Sequence, residues 1–189
     1  MQLILASASP RRKELLSLFG IPFVVKAADI DETMDPGKPA AKEVARVSKL
    51  KALAIDRQSE DVVVAADTIV VCDNQVLGKP KTRDQAISML NLLSGRDHQV
   101  MTGCTVLKGN EMETFTEITD LHFLKLSRQE IIKYVESGEP MDKAGAYGIQ
   151  GGAALFCEKL SGDYYNVVGL PVCRLWQTLL KLVPQWMEV

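Results

Sequence analysis

An aspartate stands near the middle of a run that is otherwise strongly β-forming and apolar. Val62-Val63-Val64-Ala65-Ala66 runs directly into Asp67-Thr68, and burying a carboxylate without a partner carries a heavy desolvation penalty. A divalent cation, Mg²⁺ or Mn²⁺, is the natural partner; the alternative makes Asp67 a turn or cap residue. A second carboxylate, Glu32 of the loop pair Asp31-Glu32, suits the same cation. Magnesium takes one or two protein carboxylates and completes its shell with water and phosphate oxygens. Read more simply, the pair is a solvated acidic turn.

Cationic and hydroxyl groups gather elsewhere in the sequence. In Ser7-Ala8-Ser9-Pro10-Arg11-Arg12 a strand end runs into a helix N-terminus, where unpaired N–H groups favour an anion and arginine grips phosphate through two parallel hydrogen bonds. The simpler role for Ser9 is a helix cap, with both arginines solvated. Lys51, within a helical stretch, and Lys79, in the turn Gly78-Lys79-Pro80, supply separated cations of the kind a polyphosphate needs, although each alone reads as a surface lysine.

The most unusual segment is Asp142-Lys143-Ala144-Gly145-Ala146-Tyr147-Gly148-Ile149-Gln150-Gly151-Gly152. Its glycines permit close backbone approach, and Tyr147 and Gln150 offer a ring and a two-way hydrogen-bonding amide. That combination suits a nucleobase, and a single amide matches the N3–H and O4 edge shared by uracil and thymine. The competing reading packs Tyr147 into the core. No GxxxxGK[ST], GxGxxG or GxSxG pattern occurs, which removes the main support for kinase, dehydrogenase and serine-hydrolase chemistry.

These residues need elements to position them. Leu3–Ala6 reads as a buried strand, followed by a helix from Pro10 to about Phe19 that Ser9 caps and Gly20 ends. A strand over Phe23–Ala28 leads into the acidic turn, and a helix follows from Ala40 to about Asp56. Asp61–Ala66 has the pattern of a central strand covered on both faces. Arg83–Leu93 reads as a helix closed by Ser94-Gly95, and Val100–Leu107 with Thr114–Leu124 as a hairpin about Lys108-Gly109-Asn110. Ser127 and Glu130 form a capping box, a strand is expected near Ala154–Cys157, and a last amphipathic helix starts at Pro171. The mixed order predicts an α/β fold over residues 1–189, one domain with an elongated mixed sheet flanked by helices and two lobes about a cleft.

Composition narrows the partners. The 22 basic and 24 acidic residues leave a net charge of −2, which provides no broad field for nucleic acid or an anionic membrane. No apolar run reaches a membrane span and the first residues lack the pattern of a secretion signal, so a cytoplasmic location is expected. Cys72, Cys104, Cys157 and Cys173 are widely spaced and only His98 and His122 are present. Thiol zinc sets and histidine-rich centres are therefore excluded, and carboxylates must carry any metal chemistry.

Taken in order, SASPRR, Asp31-Glu32, AADT, GKP, Leu93-Ser94-Gly95 and DKAGAYGIQG resemble the motifs of the Maf family over nearly the whole chain. DKAGAYGIQG is similar to the form found in the branch that acts on dTTP and UTP, rather than in the 7-methyl-GTP branch. The resemblance implies a divalent metal, frequent homodimers, and hydrolysis of a nucleoside triphosphate to the monophosphate and pyrophosphate. It makes Asp67 the proton acceptor and Arg11, Thr68 and Gln150 the specificity determinants. It places Ser9, Arg12, Glu32, Lys51 and Lys79 around the phosphates and metal. Asp67 as base and Asp67 as metal ligand remain open alternatives, and Glu32 can exchange roles with it. A house-cleaning enzyme for modified triphosphates is a related reading. A nucleotide-binding regulator of septum formation without catalysis is a reading of another class.

Overall fold

The computed structural model describes residues 1–188. Seven strands form one mixed sheet in the order β2 (Phe23–Val25), β1 (Leu3–Leu5), β3 (Val62–Cys72), β5 (Asp97–Lys108), β6 (Glu111–Phe123) and β7 (Cys157–Ser161), with β4 (Gln75–Leu77) paired to β3. β1 runs parallel to β2 and β3, whereas β4 and β7 are antiparallel to their neighbours. β5 and β6 are joined by the two residues Gly109 and Asn110, a link that only an antiparallel pair can use. Among the described residues no helix is long and apolar enough to cross a membrane.

Contacts divide the chain into two compact units. The first comprises residues 1–67, 102–117 and 169–189. It holds β1, β2, the beginning of β3, and the helices α1 (Pro10–Ser17), α2 (Ala40–Leu53) and α6 (Val172–Leu182). Helix α2 buries Val44, Val47, Ser48, Lys51 and Ala52, a stripe at helical spacing. Ala52 packs with Ile4, Ala6, Ile55, Val63, Ala65 and Leu107 in one apolar cluster. Gly103 of β5 lets α2 come close, because a Cβ there would overlap the Val44 carbonyl. Helix α6 lays Trp176 against Phe19, ring centroids 5.1 Å apart, and its last turn receives Lys108 Nζ on the Leu182 carbonyl at 2.8 Å.

The second unit comprises residues 68–101 and 118–168. It holds the end of β3, β4, β7 and the helices α3 (Arg83–Leu93), α4 (Arg128–Glu136) and α5 (Tyr164–Val168). The capping box is present, with Ser127 N–H on the Glu130 carboxylate and Glu130 N–H on the Ser127 hydroxyl. Aromatic edges organise its interior. Phe123 meets His98 at 4.7 Å and Tyr147 at 4.8 Å, and Tyr134 meets Phe156 at 5.1 Å.

Three expectations are corrected. β3 does not stop at Ala66 but continues to Cys72, so Asp67 lies within a strand and is neither turn nor cap. The strand expected at Ala154–Cys157 begins only at Cys157, because Gly152–Leu155 winds into a 3₁₀ turn. Tyr147 is a core residue, 5% exposed, with its hydroxyl 2.9 Å from His98 Nε2, and is not a ring offered to a base.

Candidate active site

Alternation along β3 puts Val63, Ala65 and Asp67 on one face. The first two pack in the cluster that holds Ala52 and Ile55, and Asp67 meets the preceding residue of α2, Lys51. Lys51 Nζ donates to Asp67 Oδ1 at 2.7 Å. The same ammonium lies 2.9 Å from Glu32 Oε1, which reaches it from the loop after β2. The lysine and aspartate side chains are 9% and 11% exposed while that of Glu32 is 54% exposed, so a buried pair opens to solvent at one carboxylate. The two acids of the loop have separate tasks. Asp31 accepts the Thr33 N–H at 2.9 Å, and hydrogen bonds from Thr33 hold its carboxyl below the usual range, which shapes the turn that delivers Glu32.

The start of α1 contributes the second group. Ser9 caps the helix by accepting the Arg12 N–H, and Pro10 fills the first helical position. The Arg12 side chain turns back, with Nε donating to the Gly169 carbonyl at 2.8 Å and Nη1 to Ser7 Oγ at 3.2 Å. Desolvation lowers the Arg12 pKa, and the fields of Asp67, of the buried Cys104 and, more weakly, of Glu32 oppose that shift. Ser7 and Cys104 were not among the residues that the sequence assigned to the site. Ser7 Oγ also accepts the Ser9 N–H at 3.3 Å and so fixes the turn into α1. Arg11 is half-buried in the first turn of that helix.

The remaining expected residues belong to the second unit. Thr68, next along β3, is half-buried, and Lys79 and Gln150 are exposed. Two of their segments are tied together, since the Gly145 N–H donates to the carbonyl of Gly78 at 3.1 Å. Gly145 needs its left-handed backbone, φ +68°, and rests on Val70, where a Cβ would come within 2.7 Å. Glu139 and Tyr134, which the sequence did not single out, hold the stretch around Gln150 through the Gly148 and Gly152 amides. The only signal for them was the clustering of glycines a few residues after Glu139.

The donor set fits a hard divalent cation. Two carboxylate oxygens already converge on one positive nitrogen, and both are oxygen ligands of the kind Mg²⁺ and Mn²⁺ take. Among the described residues no group of three or more His, Cys, Asp or Glu side chains gathers to hold a metal. A cation here would therefore need water and phosphate oxygens for its other positions, as magnesium sites commonly do.

The sequence model described as Maf-like protein matches residues 2–182. The chain belongs to the Maf family. Among Maf-family relatives, a protein of Symbiobacterium thermophilum named dTTP/UTP pyrophosphatase is 54% identical over 181 residues, covering 95% of this chain and 93% of the relative. Proteins of the same name from a Geobacillus species and from Aquifex aeolicus are 47% and 45% identical, with 96% of this chain covered in each case and 98% and 96% of the relatives. In fold, the Maf chain is similar to a HAM1 protein from Coxiella burnetii, with a TM-score of 0.51 and 16% identity over 97% of this chain and all of that one.

Proposed function

We propose that this chain is a metal-dependent nucleoside triphosphate pyrophosphatase that converts dTTP and UTP to the monophosphate and pyrophosphate. The observation that carries the reading is the buried Asp67, held with Glu32 on the ammonium of Lys51. The names of relatives up to 54% identical supply the substrate class.

Asp67 and Glu32 are the residues that would hold the divalent cation, which when bound would supply positive charge against the phosphate oxygens. Lys51 holds both carboxylates in place through its ammonium. Arg12, anchored through Nε and Nη1, grips the phosphate chain. Asp67 orients the attacking water and accepts its proton. The water oxygen bonds to the α-phosphorus, the bond to the bridging oxygen breaks, and pyrophosphate leaves. Gln150 reads the N3–H and O4 edge of uracil or thymine, with Arg11 and Thr68 assisting selection. A modified pyrimidine that keeps this edge is accepted too, which gives a house-cleaning role.

Pyrophosphate release with Mg²⁺ or Mn²⁺ tests the reading across dTTP, UTP and CTP. The wild-type chain releases it from dTTP and UTP. Asp67→Asn stays folded, with a lowered melting temperature because Lys51 loses its buried partner, and lowers kcat at least about 100-fold, the scale of a lost general base. Near-normal turnover by that variant defeats the assignment.

A further inference from the structure

We propose that Tyr134 and Glu139 are positioning residues that set the backbone path of residues 148–152 and thereby the selectivity of Gln150 for one pyrimidine over another. This rests on the reading of Gln150 as the group that recognises the base.

Gln150 is exposed and lies midway between Gly148 and Gly152. Both flanking amides lead to one carboxylate. The Gly152 N–H donates to Glu139 Oε2 at 3.0 Å. The Gly148 N–H donates to the Tyr134 oxygen at 3.0 Å, and the Tyr134 O–H donates to Glu139 Oε1 at 2.9 Å. Each oxygen of Glu139 thus holds one end of the stretch, directly at Gly152 and through the tyrosine at Gly148. Within it, the Gly151 N–H closes on the Gly148 carbonyl at 3.1 Å.

The glycines are what allow the carboxylate to lie so close. A Cβ at Gly151 would overlap Glu139 Oε1, one at Gly148 would come within 2.7 Å of Lys143 Cε, and one at Gly152 would press on the Tyr134 ring at 3.2 Å. The clamp is itself supported. Tyr134 is 6% exposed on α4 with its ring against Phe156, and Lys143 Nζ donates to the Glu139 carbonyl at 2.6 Å. Burial raises the Tyr134 pKa, so its hydroxyl stays a donor. Uracil and cytosine present opposite donor and acceptor orders at N3 and C4, so an amide turned out of line loses its ability to separate them. Neither Tyr134 nor Glu139 needs to touch the nucleotide for this.

Kinetics with UTP and CTP test the clamp. Tyr134→Phe keeps the ring and removes the link to Gly148, while Glu139→Gln replaces one acceptor with a donor. We expect both to melt near wild type, to raise KM for UTP about tenfold with kcat within about twofold, and to reduce the UTP to CTP ratio of kcat/KM toward that of Gln150→Ala. Adding Tyr134→Phe to Gln150→Ala leaves the ratio where Gln150→Ala put it, because both changes act through one group. A ratio that collapses in Gln150→Ala but stays at the wild-type value in both other variants overturns the clamp and leaves the reading of Gln150 standing. A ratio unmoved by Gln150→Ala itself overturns both.

Discussion

Lys51 is 7% exposed because its ammonium satisfies Asp67 and Glu32 together. Removing one member of such a group would leave a buried charge unpaired, which costs far more than the intact set gains. In the sequence Lys51 looked like a surface lysine. Its place in the stripe Val44, Val47, Ser48, Lys51, Ala52 was the available sign that it points inward. Asp67 was legible as a carboxylate in need of a partner, but that partner turned out to include a lysine of this chain. Tyr147 misled the reading because a ring among glycines suits a base and a core equally. The structure resolves it by packing the tyrosine on His98. That histidine sets a pH dependence. Burial lowers its pKa from 6.5 to about 4, so between those values the unfolded chain takes up a proton that the folded chain refuses. Its contribution is complete above pH 6.5 and falls as pH drops toward 4, by up to about 3 kcal/mol. Melting curves of wild type and His98→Gln should converge or cross over that window, the variant showing the shallower acid slope. Parallel curves would remove the assignment.

At the scale of elements, the helices were the most legible because their caps are written in sequence. Ser9 and Ser127, read as caps in the sequence, each cap the helix that follows, and Thr82, not singled out there, caps α3. Strand ends were less so. β3, expected over Asp61–Ala66, runs on to Cys72, with the charge of Asp67 satisfied by Lys51. β7 starts late because the Glu139 carboxylate draws Gly152 into a 3₁₀ turn, a tertiary effect that local pattern does not encode. One contact between elements governs the site itself. Gly103 lets α2, which carries Lys51, lie directly on β5, and the obstacle to any larger residue is the Val44 backbone, which cannot swing aside. Gly103→Ala should lower the melting temperature by about 5 °C, the effect of roughly 2 kcal/mol of overpacking in a chain of this size. It should also lower kcat, because Lys51 moves with its helix. A variant with wild-type melting and turnover would show that the close approach is not needed.

Across the whole molecule, the residues proposed for the site are distributed over two compact units. Ser9, Arg12, Glu32, Lys51 and Asp67 belong to the first, and Lys79, a further cation proposed for phosphate, belongs with Gln150 to the second. The nearly balanced charge of −2 means that a polyanionic substrate is attracted by groups placed locally and not by a general field. The similarity to a HAM1 protein at 16% identity establishes the fold alone, so the chemistry rests on these residues. Hydrolysis in ¹⁸O-labelled water tests that chemistry most directly. Attack at the α-phosphorus places the label in dTMP or UMP and leaves the released pyrophosphate unlabelled. Label in pyrophosphate or in inorganic phosphate, or no cleavage of either nucleotide in the presence of Mg²⁺ or Mn²⁺, would contradict the account.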